Sequence, residues 1–219
     1  MNLRTKLQKL SATLAVAATI AGCATGQPQI KDAPVPKGAA ELVVGGGCFW
    51  CVEAVLEDLK GVYAVEAGYA GGPKGANYSN IGNGAEVVKV FFDPKKVSAE
   101  DLLRAFFVSH DPTTLNRQGP DSGTQYRSVI FYANEFEMAR AKKVITEVAK
   151  IYREPIVTTL EPLKNYSRAE EYHQNYYQKY QKATTEQRAS MNARYCSAII
   201  EPKVRKFREK YVDKLKKPG

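Results

Sequence analysis

Four cysteines in 219 residues are too few to hold a small disulfide scaffold together. Two histidines cannot supply the second close ligand pair that a zinc site would need beside Cys48 and Cys51. Haem attachment through those two cysteines is excluded as well, because Val52 stands where a histidine would follow the second. No run of 20 apolar residues is available to span a bilayer, and no internal repeat suggests a solenoid. What remains is ordinary globular material, 44% hydrophobic and 25% charged. The length suits one domain of about 150–200 residues with appendages, enough to bury a core without staples.

The net charge of +9 raises the question of a nucleic-acid partner, so its distribution matters. Residues 1–40 carry five basic and one acidic side chain, residues 201–219 carry eight and three, and residues 41–200 carry 19 of each sign. The body is neutral and the ends are basic. A neutral body argues against a nucleic-acid-binding face.

Arg4, Lys6 and Lys9 precede an apolar stretch from Leu10 to Gly22, the pattern of a secretory signal over residues 1–22. Ile20-Ala21-Gly22-Cys23 resembles a bacterial lipobox. Lipidation of Cys23 is therefore expected, in an exported bacterial protein anchored in a membrane and facing the periplasm or the cell exterior. Residues 23–40, rich in Gly, Pro, Ala and polar groups, read as a flexible tether. The folded domain is expected over 41–219.

Glu41-Leu42-Val43-Val44 is a short β-branched run ended by Gly45-Gly46-Gly47. Val52, Val55, Leu56 and Leu59 then recur at helical spacing, and Gly61 is expected to close that helix. Cys48 falls at the helix N-terminus, where unpaired N–H groups and the helix dipole favour an anion. This predicts a nucleophilic thiol with a lowered pKa. Cys51, three residues on, lies on the same side of the first turn, so a disulfide can close between them. Redox chemistry and a pair of buried structural thiols are both compatible with this spacing.

Gly47-Cys48-Phe49-Trp50-Cys51-Val52-Glu53 resembles the active-site signature of the A-class peptide methionine sulfoxide reductases, which act on the S epimer. The resemblance continues through Gly68-Tyr69-Ala70-Gly71-Gly72, Ala85-Glu86-Val87-Val88, His110 to Ser128, Glu170-Glu171-Tyr172-His173-Gln174 and Pro202-Lys203-Val204. It covers roughly Glu41 to Tyr211. It implies an α+β fold: a two-layer sandwich with a ferredoxin-like mixed sheet and packed helices. It further implies Cys48 as nucleophile, Phe49 and Trp50 as walls of a methyl pocket, Glu86 as the acid, and Tyr78 and Tyr126 as donors to the sulfoxide oxygen. Asp121 would help orient the nucleophile. Among apolar neighbours Glu86 should have a raised pKa. The chain departs from the family at Gly82-Asn83-Gly84-Ala85, where a histidine usually precedes Ala-Glu.

The sulfenic acid left on Cys48 would be resolved by Cys51, which needs no chain movement, in preference to Cys196. His110 and His173 match no catalytic position of the family and are expected to tie loops. No metal or organic cofactor is implied. Reducing equivalents would come from thioredoxin or a thioredoxin-like dithiol donor. The expected partners are proteins carrying methionine sulfoxide, that reductant, and the membrane through the lipid, with the enzyme monomeric. The rival reading is a thiol–disulfide oxidoreductase working through Cys48 and Cys51.

Helices are expected over Ser98–Ser109 and Asn134–Tyr152, and strands over Ser128–Tyr132 and Ile156–Leu160. In the basic tail, Val204, Phe207, Tyr211 and Leu215 form one apolar stripe. An amphipathic helix docked on the body is predicted, with a charged face turned to solvent or to anionic lipid.

Overall fold

The computed structural model describes residues 26–217. Met1 to Leu10, the apolar stretch and Cys23 lie outside the described residues, so the signal and lipidation readings are not addressed by it.

Strand β1 (Ala40–Gly45) leads into helix α1 (Phe49–Leu56), hairpin strands β2 (Val62–Ala70) and β3 (Ala85–Phe92), helix α2 (Ala99–Ser109) and, later, strand β6 (Val129–Tyr132). Between α2 and β6 lies a small hairpin of β4 (Arg117–Gln118) and β5 (Asp121–Ser122), then a helical turn at Thr124–Tyr126. Helix α3 (Glu135–Val148), strands β7 (Thr159–Pro162) and β8 (Tyr166–Arg168), and helices α4 (Tyr176–Lys182), α5 (Thr185–Ala189), α6 (Ala193–Tyr195) and α7 (Glu201–Tyr211) complete the chain.

The six-stranded sheet runs β7-β6-β1-β3-β2-β8. Only the β6–β7 pairing is parallel; β1–β3, β1–β6, β2–β3 and β2–β8 are antiparallel. Its centre, β6-β1-β3-β2, has the ferredoxin-like order, as the family resemblance implied. Alternation along the strands explains the layering. Val44, Val88, Val90, Ala67 and Ile130 face the main core under the helices, while Val43, Val87, Ala85 and Phe131 form a smaller cluster on the other face.

Helix α2 starts where Ser98 caps it, its Oγ accepting the Asp101 N–H at 3.1 Å. Asn134 caps α3 in the same way, accepting from Glu137 N at 3.0 Å. Three expectations shift. Helix α1 ends at Leu56, not at Gly61; Gly61, with φ +86°, instead serves the turn into β2. The strand expected at Ile156 starts at Thr159. The tail helix stops at Tyr211, and Leu215 then forms a β-bridge with Leu59. Val204 and Phe207 are buried beneath it, as the stripe predicts. Residues 26–39 form no helix or strand, yet Asp32 pairs with Arg168 at 2.8 Å and accepts from Asn175 Nδ2 at 2.8 Å. This part of the expected tether lies against the body.

Candidate active site

The β1–α1 turn brings the chemistry to one end of the sheet. Gly47 has φ +91°, and a Cβ there would stand 2.6 Å from the Gln118 side chain. A Cβ on Gly46 would stand 2.9 Å from the His110 ring. Only glycine lets the chain turn this tightly. The Gly47 N–H bonds the Tyr126 carbonyl at 3.2 Å, so the turn and the Thr124–Tyr126 segment are fixed together. Strand β3 begins at the same end, which places Glu86 beside the start of α1.

Glu86 is 4% exposed, and its Oε2 accepts the Phe49 N–H at 3.1 Å. This carboxyl satisfies one of the orphan donors of the helix N-terminus. Burial pushes its pKa up to about 8, with the negative charges of Asp121 and Cys51 adding to the shift. The expectation of a carboxyl protonated near neutral pH is met.

Cys48 precedes α1 and is 8% exposed; Cys51 is 1% exposed. Here the sequence expectation is corrected. Cys48 is raised, not lowered: burial dominates, the Cys51 sulfur and Glu86 add to it, and the Trp50 N–H offsets only part. The first helix donor, Phe49 N–H, is committed to Glu86, so of the first two helix donors only the Trp50 N–H favours a Cys48 thiolate, and burial outweighs it. Cys51 goes the other way, down to about 7, because Cys48 donates a hydrogen bond to it. When the pair loses one proton, the remaining one rests on Cys48.

Phe49 and Trp50 stand at the centre of an aromatic group. Trp50 stacks on Tyr176 at 3.7 Å and 7°, and Phe49 lies 4.8 Å from the His173 ring. The Trp50 Nε1–H donates to His173 Nδ1 at 3.2 Å. His173 is pressed by Tyr172 at 4.0 Å and Tyr78 at 5.4 Å. Burial lowers its pKa to about 4, so the ring stays neutral and keeps its acceptor toward Trp50. Tyr78 is 58% exposed, and Glu170 holds its backbone N–H at 3.0 Å while also taking the Tyr69 hydroxyl at 2.9 Å. Burial raises the Tyr126 phenol, and Glu86 and Cys48 raise it further, so it stays a donor. Asp121 accepts the Tyr195 hydroxyl at 2.5 Å, and the same Tyr195 oxygen lies 3.7 Å from Cys51 Sγ.

A neutral carboxyl, two adjacent thiols, two phenol donors and an aromatic wall therefore meet at one helix start. Comparison with known proteins gives the same picture over most of the chain. A model of the family described as peptide methionine sulfoxide reductase matches residues 40–215. The chain belongs to that family. The peptide methionine sulfoxide reductase MsrA 1 of Rhodopirellula baltica is 44% identical over 196 residues, covering 87% of this chain and 97% of the relative. The MsrA of Deinococcus radiodurans is 44% identical over 188 residues, covering 82% and 86%. Among solved structures, reduced Mxr1 of Saccharomyces cerevisiae superposes with a TM-score of 0.65 at 32% identity, over 71% of this chain and 93% of that one. Methionine sulfoxide reductase A of Corynebacterium diphtheriae gives 0.61 at 28%, over 73% and 89%.

The structure gathers Cys48, Cys51, Phe49, Trp50, Glu86, Tyr126 and Asp121 at one place, with Tyr78 at the rim. Cys196 is fully buried at the start of a π-helical turn, and burial raises it to about 12. His110 is a tie, as expected: Nδ1 donates to the Phe106 carbonyl at 2.8 Å, and Nε2 accepts from Ser128 at 2.7 Å. His173 differs from its expected loop-tying role, because it braces the pocket wall. Tyr176 and Tyr195 are not singled out by the sequence, and Glu170 is marked there as part of a family motif with no role attached. Among 13 tyrosines, no spacing singles out the two that meet Trp50 and Cys51. A groove of about 720 Å³ lies elsewhere, between Tyr152 and Lys203, Lys206 and Phe207. No cysteine lines it, whereas the thiol pair and the buried Glu86 carboxyl lie together at α1.

Proposed function

We propose that this family member reduces the S epimer of methionine sulfoxide, in peptides and as the free amino acid, through Cys48. The observation that carries the reading is the Cys48 thiol and a protonated Glu86 carboxyl at one helix start, walled by Phe49 and Trp50. The Cys48 proton passes to Cys51 across their shared contact, and the thiolate attacks the sulfoxide sulfur. Glu86 protonates the oxygen, and Tyr78 and Tyr126 donate hydrogen bonds to it. Methionine leaves, and Cys48 holds the oxygen as a sulfenic acid. Asp121 helps to orient the cysteines.

Cys51 then displaces that oxygen as water, giving a Cys48–Cys51 disulfide. Proximity supports Cys51 over Cys196, whose burial keeps it a thiol. The buried Glu86 carboxyl at the start of α1, a proton donor that thiol–disulfide exchange does not need, favours sulfoxide reduction over the thiol–disulfide oxidoreductase reading. A thioredoxin-like dithiol restores the pair, and the protein works as a monomer without metal or organic cofactor.

The soluble body with dithiothreitol and the separated sulfoxide epimers tests the first claim: turnover of the S epimer is expected, and its absence overturns the reading. Cys51→Ser under limiting sulfoxide tests the second. Trapped sulfenic acid is expected; an intramolecular disulfide formed at full rate removes Cys51 from the role.

The sequence of residues 4–23 supports export and lipidation at Cys23. Labelling with a fatty-acid analogue is expected to tag the wild type and to miss Cys23→Ala, which should leave the membrane fraction.

A further inference from the structure

Resolution of a sulfenic acid requires the attacking thiol to lose its proton. Cys51 is 1% exposed, so bulk solvent does not reach it to take the proton. The contact to Cys48 cannot serve either, because that sulfur now carries the oxygen and is the electrophile. One other polar side chain bonds the Cys51 sulfur among the described residues: the Tyr195 hydroxyl at 3.7 Å. That oxygen is itself tied to the Asp121 carboxylate at 2.5 Å. Its position is fixed from two sides. The Asn192 side chain accepts the Tyr195 backbone N–H at 3.2 Å, and the ring stands edge-on to Trp50 at 6.1 Å.

We propose that Tyr195 and Asp121 form the proton relay of the resolving step, with Tyr195 as the group that takes the Cys51 proton. The proposal rests on Cys51 as the resolving thiol. As the S–S bond forms, the Cys51 S–H bond breaks and its proton passes to the Tyr195 oxygen. The Tyr195 proton moves to Asp121 Oδ2. The Cys48 S–O bond breaks, and the departing hydroxide takes up that proton and leaves as water. Cys51 is oxidised, Cys48 is reduced from sulfenic acid to disulfide, and the sum is one thiol and one sulfenic acid giving one disulfide and one water.

Burial, the neighbouring cysteine sulfurs and the Asp121 carboxylate raise the Tyr195 phenol and keep it protonated at rest. It therefore acts as a conduit and not as a base. The base is Asp121, whose role shifts from orienting the nucleophile to accepting the proton of the second cysteine. A relay at the resolving cysteine differs from the two tyrosines at the sulfoxide oxygen, which act one step earlier.

The test is a single turnover of the fully reduced protein with one equivalent of S-epimer sulfoxide. Methionine release and Cys48–Cys51 disulfide formation are followed separately, with dimedone trapping the sulfenic acid. Tyr195→Phe keeps the ring and removes the hydroxyl. It is expected to slow disulfide formation at least about tenfold more than methionine release, in the range of a lost general acid–base contribution. Sulfenic acid should accumulate, and the solvent isotope effect on the disulfide step should change. Asp121→Asn should slow the same step, and the double variant should be no slower than the slower single one, because both act on one path. Tyr195→Phe closing the disulfide within about twofold of wild type, or additive slowing in the double variant, overturns the relay and leaves Cys51 as resolver. A wild-type disulfide that omits Cys51 overturns the resolving role and the relay with it.

Discussion

Glu53 and Glu86 are both buried carboxyls on or against α1, at 1% and 4% exposure, and burial raises the pKa of each. They differ in how many of their oxygens are occupied. Glu53 takes two backbone N–H groups, from Asn175 at 2.8 Å and Tyr176 at 3.1 Å. It thereby fastens α1 to the start of α4, where Tyr176 stacks on Trp50. Glu86 takes one, the Phe49 N–H, and among the described residues nothing bonds its other oxygen. Equal burial thus gives two functions: the saturated carboxyl holds the scaffold, and the one with an oxygen left over works on a ligand. The two buried histidines repeat the contrast. His110 has both ring nitrogens bonded, whereas His173 Nε2 is a buried nitrogen without a partner, 3.9 Å from Glu170.

Replacing the unsaturated carboxyl should give the largest effect. Glu86→Gln is expected to lower turnover of the S epimer by about 10²-fold or more, the share of a positioned acid. It should also stabilise the fold. The folded pKa of Glu86, about 8, lies above its unfolded value of about 4.3, so the folded state binds more protons between those limits. Stability contributed by this group is present below the unfolded pKa and is lost as pH rises through about 8. The melting temperature of Glu86→Gln relative to wild type should therefore be higher at pH 8 than at pH 5. Wild-type turnover should fall as pH rises through the same region, as the acid is lost. A melting difference that does not change with pH would break the contrast with Glu53.

The saturated carboxyl should answer with stability. Glu53→Ala leaves the Asn175 and Tyr176 N–H groups buried and unpaired, at a cost of about 1–3 kcal/mol each. Urea unfolding should show a loss of about 2–6 kcal/mol, while turnover per folded molecule falls less than in Glu86→Gln. Equal losses of activity in the two variants would mean that occupancy of the oxygens does not separate their roles.

Much of this was legible from the residues. The glycine triplet and the helical spacing after it predict the strand, turn and helix start that carry Cys48, because turn chemistry is local; Glu86 is named through the family resemblance, since its strand pattern alone reads equally as an exposed strand-end glutamate. Ser98 and Asn134 announced their helices for the same reason. The direction of the Cys48 pKa was not legible. It depends on Glu86 taking the Phe49 N–H and on the depth of the pair, both tertiary facts. Tyr195 is 144 residues from Cys51 and meets it only through the fold. Glu170 and His173 stood in a recognisable stretch, yet the bond from Trp50 to His173 is made only where that stretch meets α1 in the fold.

The histidines offer the finest version of the comparison. His110→Phe removes the partners of the Phe106 carbonyl and Ser128 hydroxyl, so a loss of about 1–3 kcal/mol is expected in unfolding. Its effect on kcat should be small, since the ring lies behind Gly46 and touches no reacting atom. His173→Phe keeps ring volume beside Phe49 but removes the acceptor for the Trp50 N–H. The wild-type imidazole must be neutral with its hydrogen on Nε2, because Nδ1 accepts from the indole. Without that acceptor Trp50 can rotate in its stack on Tyr176, and the methyl pocket loses its fixed wall. KM for the S epimer should rise about fivefold, roughly 1 kcal/mol of binding, with kcat changed less. The indole N–H resonance, held by the imidazole in the wild type, should shift and exchange faster. A fall in kcat with KM unchanged would move His173 from the wall of the pocket to the chemistry itself.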